Sequence, residues 1–337
     1  MSGSFQFDME CLQGSFKPVH NNYVPAQQQK HLQFLDFNKS GDLILGCSSL
    51  NTRYMTGSLW YYKAGTEAEA VTNPEACLTG VDTEAGVMDG RFVREDQVVV
   101  GLDSGGLVMV TLTKDEEGDK MTHYLECHTA TVEHDDILTG LDTWTSNNTV
   151  ATCGMDNRLC VYNPALVMVQ SYSPVHGGHV SGVTCNQSSE HVLATCSKNV
   201  DMSVRVWDTR QNKPASTVAR MTEQPPSSVA WADDRTLMVG SVTGRLTRLD
   251  TRGGAGQSVL DSTSVGDRPV FRLRARGKRM AVACDDAEVS VVSLEAGSLE
   301  VTRLKSGHRD FVRGLAWSSD TSLWTAGWDT RVEHHTV

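Results

Sequence analysis

The chain has 337 residues, 21% of them charged and 39% hydrophobic, and a formal net charge of −11, the composition of an ordinary globular protein. The acidic balance argues against general nucleic-acid binding, which rests on neutralising phosphates, and leaves basic partners or plain solubility. No apolar run approaches the roughly 20 residues that cross a bilayer, and Met1 to Cys11 has neither the basic start nor the apolar core of a signal peptide.

Residues 1 to about 30 contain Gln, Asn and Pro and lack strand periodicity. Beyond them a short pattern returns seven times: an apolar residue in a strand-like run, a few residues after a Gly/Asp/Asn/Ser turn. Its anchors are Leu59, Leu107, Leu159, Val204, Leu246, Val289 and Val332, spaced by 48, 52, 45, 42, 43 and 43 residues. Within the fifth unit, Ser228-Val229-Ala230-Trp231 leads to a turn at Asp233-Asp234. Thr236 to Val239 follows, then a turn at Thr243-Gly244, then Arg245 to Leu249. That is a β-meander with turn residues where turns are needed, and helical periodicity is absent. A period near 45 residues with several strands per unit predicts an all-β, seven-bladed β-propeller.

Three insertions interrupt the period: Thr66 to Asn73, Asp115 to His134, and Lys198 to Asp201. The polar run Asp115 to Lys120 reads as a solvated loop. The chain ends at Val337, right after the third strand of the seventh unit. A piece between Cys11 and Val24 is therefore expected to supply the outer strand of the last blade and so close the ring, which removes an exposed edge. On this reading residues 1–30 are an extension with the closing strand, and 31–337 are the propeller.

The nine cysteines are odd in number and form no CxxC pair, so they read as reduced thiols of a cytoplasmic or nuclear protein. The group His123, Cys127, His128, His134, Asp135, Asp136 fits no standard zinc spacing, and no metal is expected. Arg252-Gly253-Gly254-Ala255-Gly256 lacks the Lys-Ser/Thr of a phosphate loop, and no cofactor is implied. Arg268, Arg272, Arg274, Arg276, Lys278 and Arg279 form the one basic cluster. Arg272, Arg274 and Arg276 alternate with Phe271, Leu273 and Ala275, which reads as one solvated face lining a channel or facing a partner.

Three units carry His four residues before an apolar strand residue: His134, His176 and His308. Thr152 with Asp156, Thr195 with Asn199 or Asp201, and Thr325 with Asp329 follow, and the third strands present Tyr162, Trp207 and His335. This ordering resembles the WD repeat, in which such residues form a buried hydrogen-bonded chain within each blade. A Ser/Thr–His–Asp set can also be a catalytic triad, but here it recurs at one repeat position, so it reads as structural. At the end of the third strand, only Trp207-Asp208 keeps the name-giving dipeptide.

Further stretches carry a narrower resemblance. They are Ser48-Ser49-Leu50 with Gly57-Ser58-Leu59-Trp60; Thr83 to Val87; Glu133 to Ile137; Asp208-Thr209-Arg210 with Lys213 to Ser216; His308 to Arg313; and Gly327-Trp328-Asp329 with His334-His335. Together they resemble the family of methylosome protein 50, the WD-repeat subunit of the methylosome. The resemblance implies a seven-bladed WD40 propeller with no catalytic residues, an adaptor for the type II protein arginine methyltransferase that makes symmetric dimethylarginine. It implies four copies of each subunit, basic Arg-rich substrates such as histones and Sm-type proteins, residence in cytoplasm and nucleus, and no membrane or direct nucleic-acid contact. It places partner binding on the loop Asn51, Thr52, Arg53, Tyr54, Met55, Thr56. Arg53 matches the family, whereas vertebrate members place Trp where Met55 stands. A rival reading takes Trp207 to Arg210 as the WDxR box of a cullin-type ubiquitin-ligase receptor. A propeller enzyme would need a nucleophile or metal site that the sequence does not assemble.

Overall fold

The computed structural model describes residues 30–337, apart from 52–53, 84, 118–119, 212, 254–257 and 296. The expected closing strand within 11–24 lies outside the described residues. The described residues form seven antiparallel sheets, six of four strands and a last one of three. The first strands of successive sheets pack side by side, and Val312–Ser319 of the last sheet packs on His31–Phe37 of the first. The chain is therefore a closed seven-bladed propeller, its innermost strands lining a central channel.

All seven repeat anchors fall at one place, in the third strand of their blade, and all are buried. Three residues further on stand Tyr62, Val110, Tyr162, Trp207, Leu249, Val292 and His335, likewise buried. The cores lie between sheets. Leu32, Trp60 and Tyr62 of blade 1 share one cluster with Ala316, Trp324 and Val332 of blade 7, so apolar packing joins the first blade to the last. Phe34 sits between blades 1 and 2 over two glycines; a Cβ at Gly46 would come within 2.0 Å of its ring, and one at Gly90 within 2.3 Å. Those positions accept no side chain without displacing a fully buried aromatic.

In the polar run Asp115 to Lys120, Asp115–Glu117 and Lys120 are strand and not loop, while residues 118–119 lie outside the described residues. Gly106–Glu117 and Lys120–Val132 pair in register out to Glu117↔Lys120, a ribbon longer than any other hairpin described in the ring. The flanking Thr111, Thr113, Thr122 and Tyr124 are good strand formers, and the side chains of Lys114, Asp115 and Glu116 face solvent. The first insertion carries a short 3₁₀ turn, Ala68–Ala70, and a second, Pro74–Ala76, follows it directly; the hydroxyl of Tyr62 donates to the Val71 carbonyl between them.

Candidate docking face

In blades 3, 4 and 7 the polar sets are assembled around the turn between second and third strands. His134 Nδ1 lies 3.0 Å from Asp156, and its Nε2 lies 2.8 Å from Thr152 Oγ1. His308 repeats this with Asp329 at 3.0 Å and Thr325 at 2.8 Å, and Thr325 reaches His335 at 3.1 Å. In blade 4, Trp207 Nε1 donates to Thr195 at 2.8 Å, Thr195 meets His176 Nε2 at 2.9 Å, and His176 Nδ1 meets Asp201 at 3.0 Å. Of the two open choices for His176 the structure uses Asp201; Asn199 pairs with His179 instead. Gly154 and Gly327 make room, since a Cβ on either would fall within 3 Å of both the Asp and the His. These hydroxyls and imidazoles are buried and bound to one another, so none is presented to a substrate.

The two analogous histidines respond oppositely to their surroundings. Burial opposes charge on His134, but hydrogen bonding to Asp156 and the neighbouring Cys160 overcomes it and pushes the pKa up to about 9. Burial also opposes charge on His176, and there Arg205, which takes Asp201 at 2.9 Å, adds its own repulsion, so the pKa falls. A histidine whose pKa rises on folding stabilises the fold fully below its ordinary value near 6.5, and that contribution is lost as pH climbs through the folded value. The melting-temperature gap between the native chain and His134→Asn should therefore be widest near pH 6 and narrow by pH 9.5. Thermal melts read by circular dichroism across that range check this; a gap that widens with pH contradicts it.

The channel holds charges that the sequence left dispersed. Asp36, Arg91 and Asp142 occupy one register position in the first strands of blades 1, 2 and 3. Asp36 and Asp142 each accept a backbone N–H from the next blade, at Phe92 and Cys185, both at 2.8 Å. Burial pushes both carboxyls above their ordinary range, against the pull of Arg91. Arg272 of blade 6 meets Asp89 of blade 2 at 2.7 Å. Blades 7 and 1 lie between them, so this ion pair bridges the channel. Arg272 is buried and not solvated, contrary to its expected place on a wet strand face, while Arg276 at the strand's far end pairs with Asp320 at 2.8 Å.

Of the proposed partner loop, residues 52–53 lie outside the described residues. Leu50 pairs with Met55 and Asn51 with Tyr54, so the flanks of the loop belong to the paired strands Leu43–Asn51 and Tyr54–Tyr62. It lies on the face that carries the second-to-third-strand turns. Met55 rests against blade 2: a Cβ at Gly86 would come within 2.5 Å of its Cε and 2.8 Å of its Cβ. The Gly86 N–H is held by Asp103 at 2.8 Å, so the seat of Met55 is fixed. At Trp207 to Arg210, the Arg210 guanidinium closes back on Asp208 at 2.6 and 2.8 Å, a local strand ending.

Seven sheets in a ring, with His–Thr–Asp sets in three blades, define a WD-repeat propeller, a class of binding scaffold. The family model for the WD domain, G-beta repeat, matches residues 120–163, 169–208 and 299–333, the three segments that contain those sets. Each match begins about one strand before its blade, because the sequence repeat runs out of phase with the sheets. Methylosome protein WDR77 of Xenopus laevis is 29% identical over 319 residues, 93% of this chain and 91% of that protein. The 66 kDa stress protein of Physarum polycephalum is 30% identical over 149 residues, 44% of this chain and 24% of that protein. Among solved structures, a chain of the COPII outer coat vertex on membranes aligns with a TM-score of 0.71 at 12% identity, covering 91% of this chain and 84% of that one; it shares the fold alone. Over nearly its whole length the chain is thus similar to a WD-repeat protein of the methylosome. The propeller and this similarity support a non-catalytic scaffold.

Proposed function

We propose that this chain is the adaptor that binds a type II protein arginine methyltransferase and helps present Arg-rich basic substrates, such as histones and Sm-type proteins, for symmetric dimethylation. The observation that carries this is the near end-to-end similarity to a methylosome protein. The loop of residues 51–56 is the contact we assign to the enzyme, in an assembly of four copies of each subunit in cytoplasm and nucleus. A segment with an Arg and two large side chains has the composition of an interface hot spot, and the paired strands that flank it keep the ordering cost low. The net charge of −11 would draw basic substrates toward the complex.

Size-exclusion chromatography with light scattering, on the chain alone and mixed with the arginine methyltransferase of its own source, tests the reading. A co-eluting species with equal numbers of both subunits is the expected result. Separate elution at micromolar concentrations would overturn it.

A further inference from the structure

The first strands share a device invisible to a period-two reading. In six blades one residue near the start of the first strand is an extra one in the ladder, the third residue in blade 1 and the second in the others: Gln33, Met88, Thr139, Ser227, Phe271 and Arg313. A bulge of this kind re-aims a side chain out of the pleat. Five of these residues line a cavity of about 310 Å³ at the channel mouth. Its floor includes the Asp89–Arg272 bridge.

The sixth, Arg313, backs the wall. Its guanidinium stacks 3.9 Å from the Phe271 ring centre, lies 4.7 Å from Phe311 and 5.0 Å from Trp328, and pairs with Asp285 at 2.5 Å. Phe271 is thus held rigidly while 41% of it stays exposed, and Met155, 44% exposed, stands on the same cavity. These are large apolar surfaces left open at a concave site.

The charges there are unbalanced. The two carboxylates lining the cavity are spent, Asp89 on Arg272 and Arg91, and Asp285 on Arg313. Lys198 and Arg274 also line it, and neither has a carboxylate within ion-pair distance among the described residues. The Lys198 backbone is pinned by the hydroxyl of Ser181, which lines the same cavity, at 3.2 Å. On a chain of charge −11, the mouth of the channel is a cationic spot.

We propose that the channel mouth is a docking site for an acidic peptide. An aromatic or aliphatic residue packs on Phe271 and Met155, and flanking carboxylates pair with Lys198 and Arg274. This site is separate from the first-blade loop and takes the opposite charge from the basic substrates proposed above.

The test is fluorescence anisotropy on the full chain with a fluorescein-labelled peptide GDLFDG, its amide counterpart GNLFNG and its basic counterpart GKLFKG. Saturable binding of the acidic peptide is expected, weakened by raised salt, and about tenfold weaker for GNLFNG. Lys198→Glu with Arg274→Gln should lose roughly tenfold or more, and Phe271→Ser about fivefold, with circular dichroism unchanged. Lys198→Glu alone, at an exposed position, guards against a folding defect in the double variant. Absent saturation, equal binding of GNLFNG, tighter binding of GKLFKG, or folded variants that bind as the native chain does would each overturn the proposal.

Discussion

Replacing Asp89 with Leu should lower the urea-unfolding midpoint by an amount equivalent to about 3–5 kcal/mol. Asp89 stands at 2.7 Å from Arg272 and 3.4 Å from Arg91, and all three side chains are buried. Its removal strands the buried Arg272 and leaves Arg91 with the more distant Asp142, at 3.8 Å. Arg91 is already short of partners, since its Nη2 is buried without one. The converse change, Arg272→Leu, should cost clearly less, because Asp89 keeps Arg91 and the N–H of Gly90 at 3.0 Å. The double change to Leu at both positions should recover most of the loss, since replacing both members of a buried pair with apolar residues is often near neutral. Chemical denaturation of the three variants decides. Equal costs for the two single changes would mean that the bridge is not what Asp89 supplies.

The blades were legible because each anchor sits in an alternating run bounded by turn residues, a local signal that survives even where the polar sets have decayed. The sets themselves were legible for the same reason: His, Thr and Asp recur at fixed offsets inside one blade. Asp201 rather than Asn199 was not decided by spacing. It follows from charge, since a carboxylate accepts from His176, Ser203 and Arg205 together. The channel was hidden because its pairs join strands far apart in sequence; Asp89 and Arg272 are brought together only by ring closure. The bulges hid the rest. One extra residue between Val270 and Arg272 breaks the alternation that placed all three arginines on one wet face, exposing Phe271 and burying Arg272. A polar composition likewise concealed the ribbon at Asp115 to Lys120, because backbone pairing needs no apolar side chain.

Changing Arg53, Tyr54 and Met55 together to Ala should weaken the complex with the methyltransferase by about 2–4 kcal/mol, roughly 30- to 1,000-fold in Kd. The hairpin beneath the turn is built from other residues: Trp60 donates to Ser58 at 2.7 Å, and Leu59 and Trp60 are fully buried. The melting temperature should therefore barely move, so that a loss of binding reports on the contact. Gly86→Ala supplies an independent arm. It leaves every residue of the loop in place but drives a methyl into Met55, whose Cε and Cβ stand 2.5 and 2.8 Å from where that methyl would sit. Met55 must then leave its seat on blade 2, and the turn it anchors shifts with it. If the loop is the docking element, Gly86→Ala should weaken binding by an intermediate amount, about five- to tenfold, with the on-rate little changed and the off-rate raised. Surface plasmon resonance with the enzyme immobilised reads both rates. A folded triple variant with an unchanged Kd would falsify the loop assignment. Loss with the triple variant but none with Gly86→Ala would place the binding energy on Arg53 and Tyr54 and leave Met55 as a packing residue of the ring.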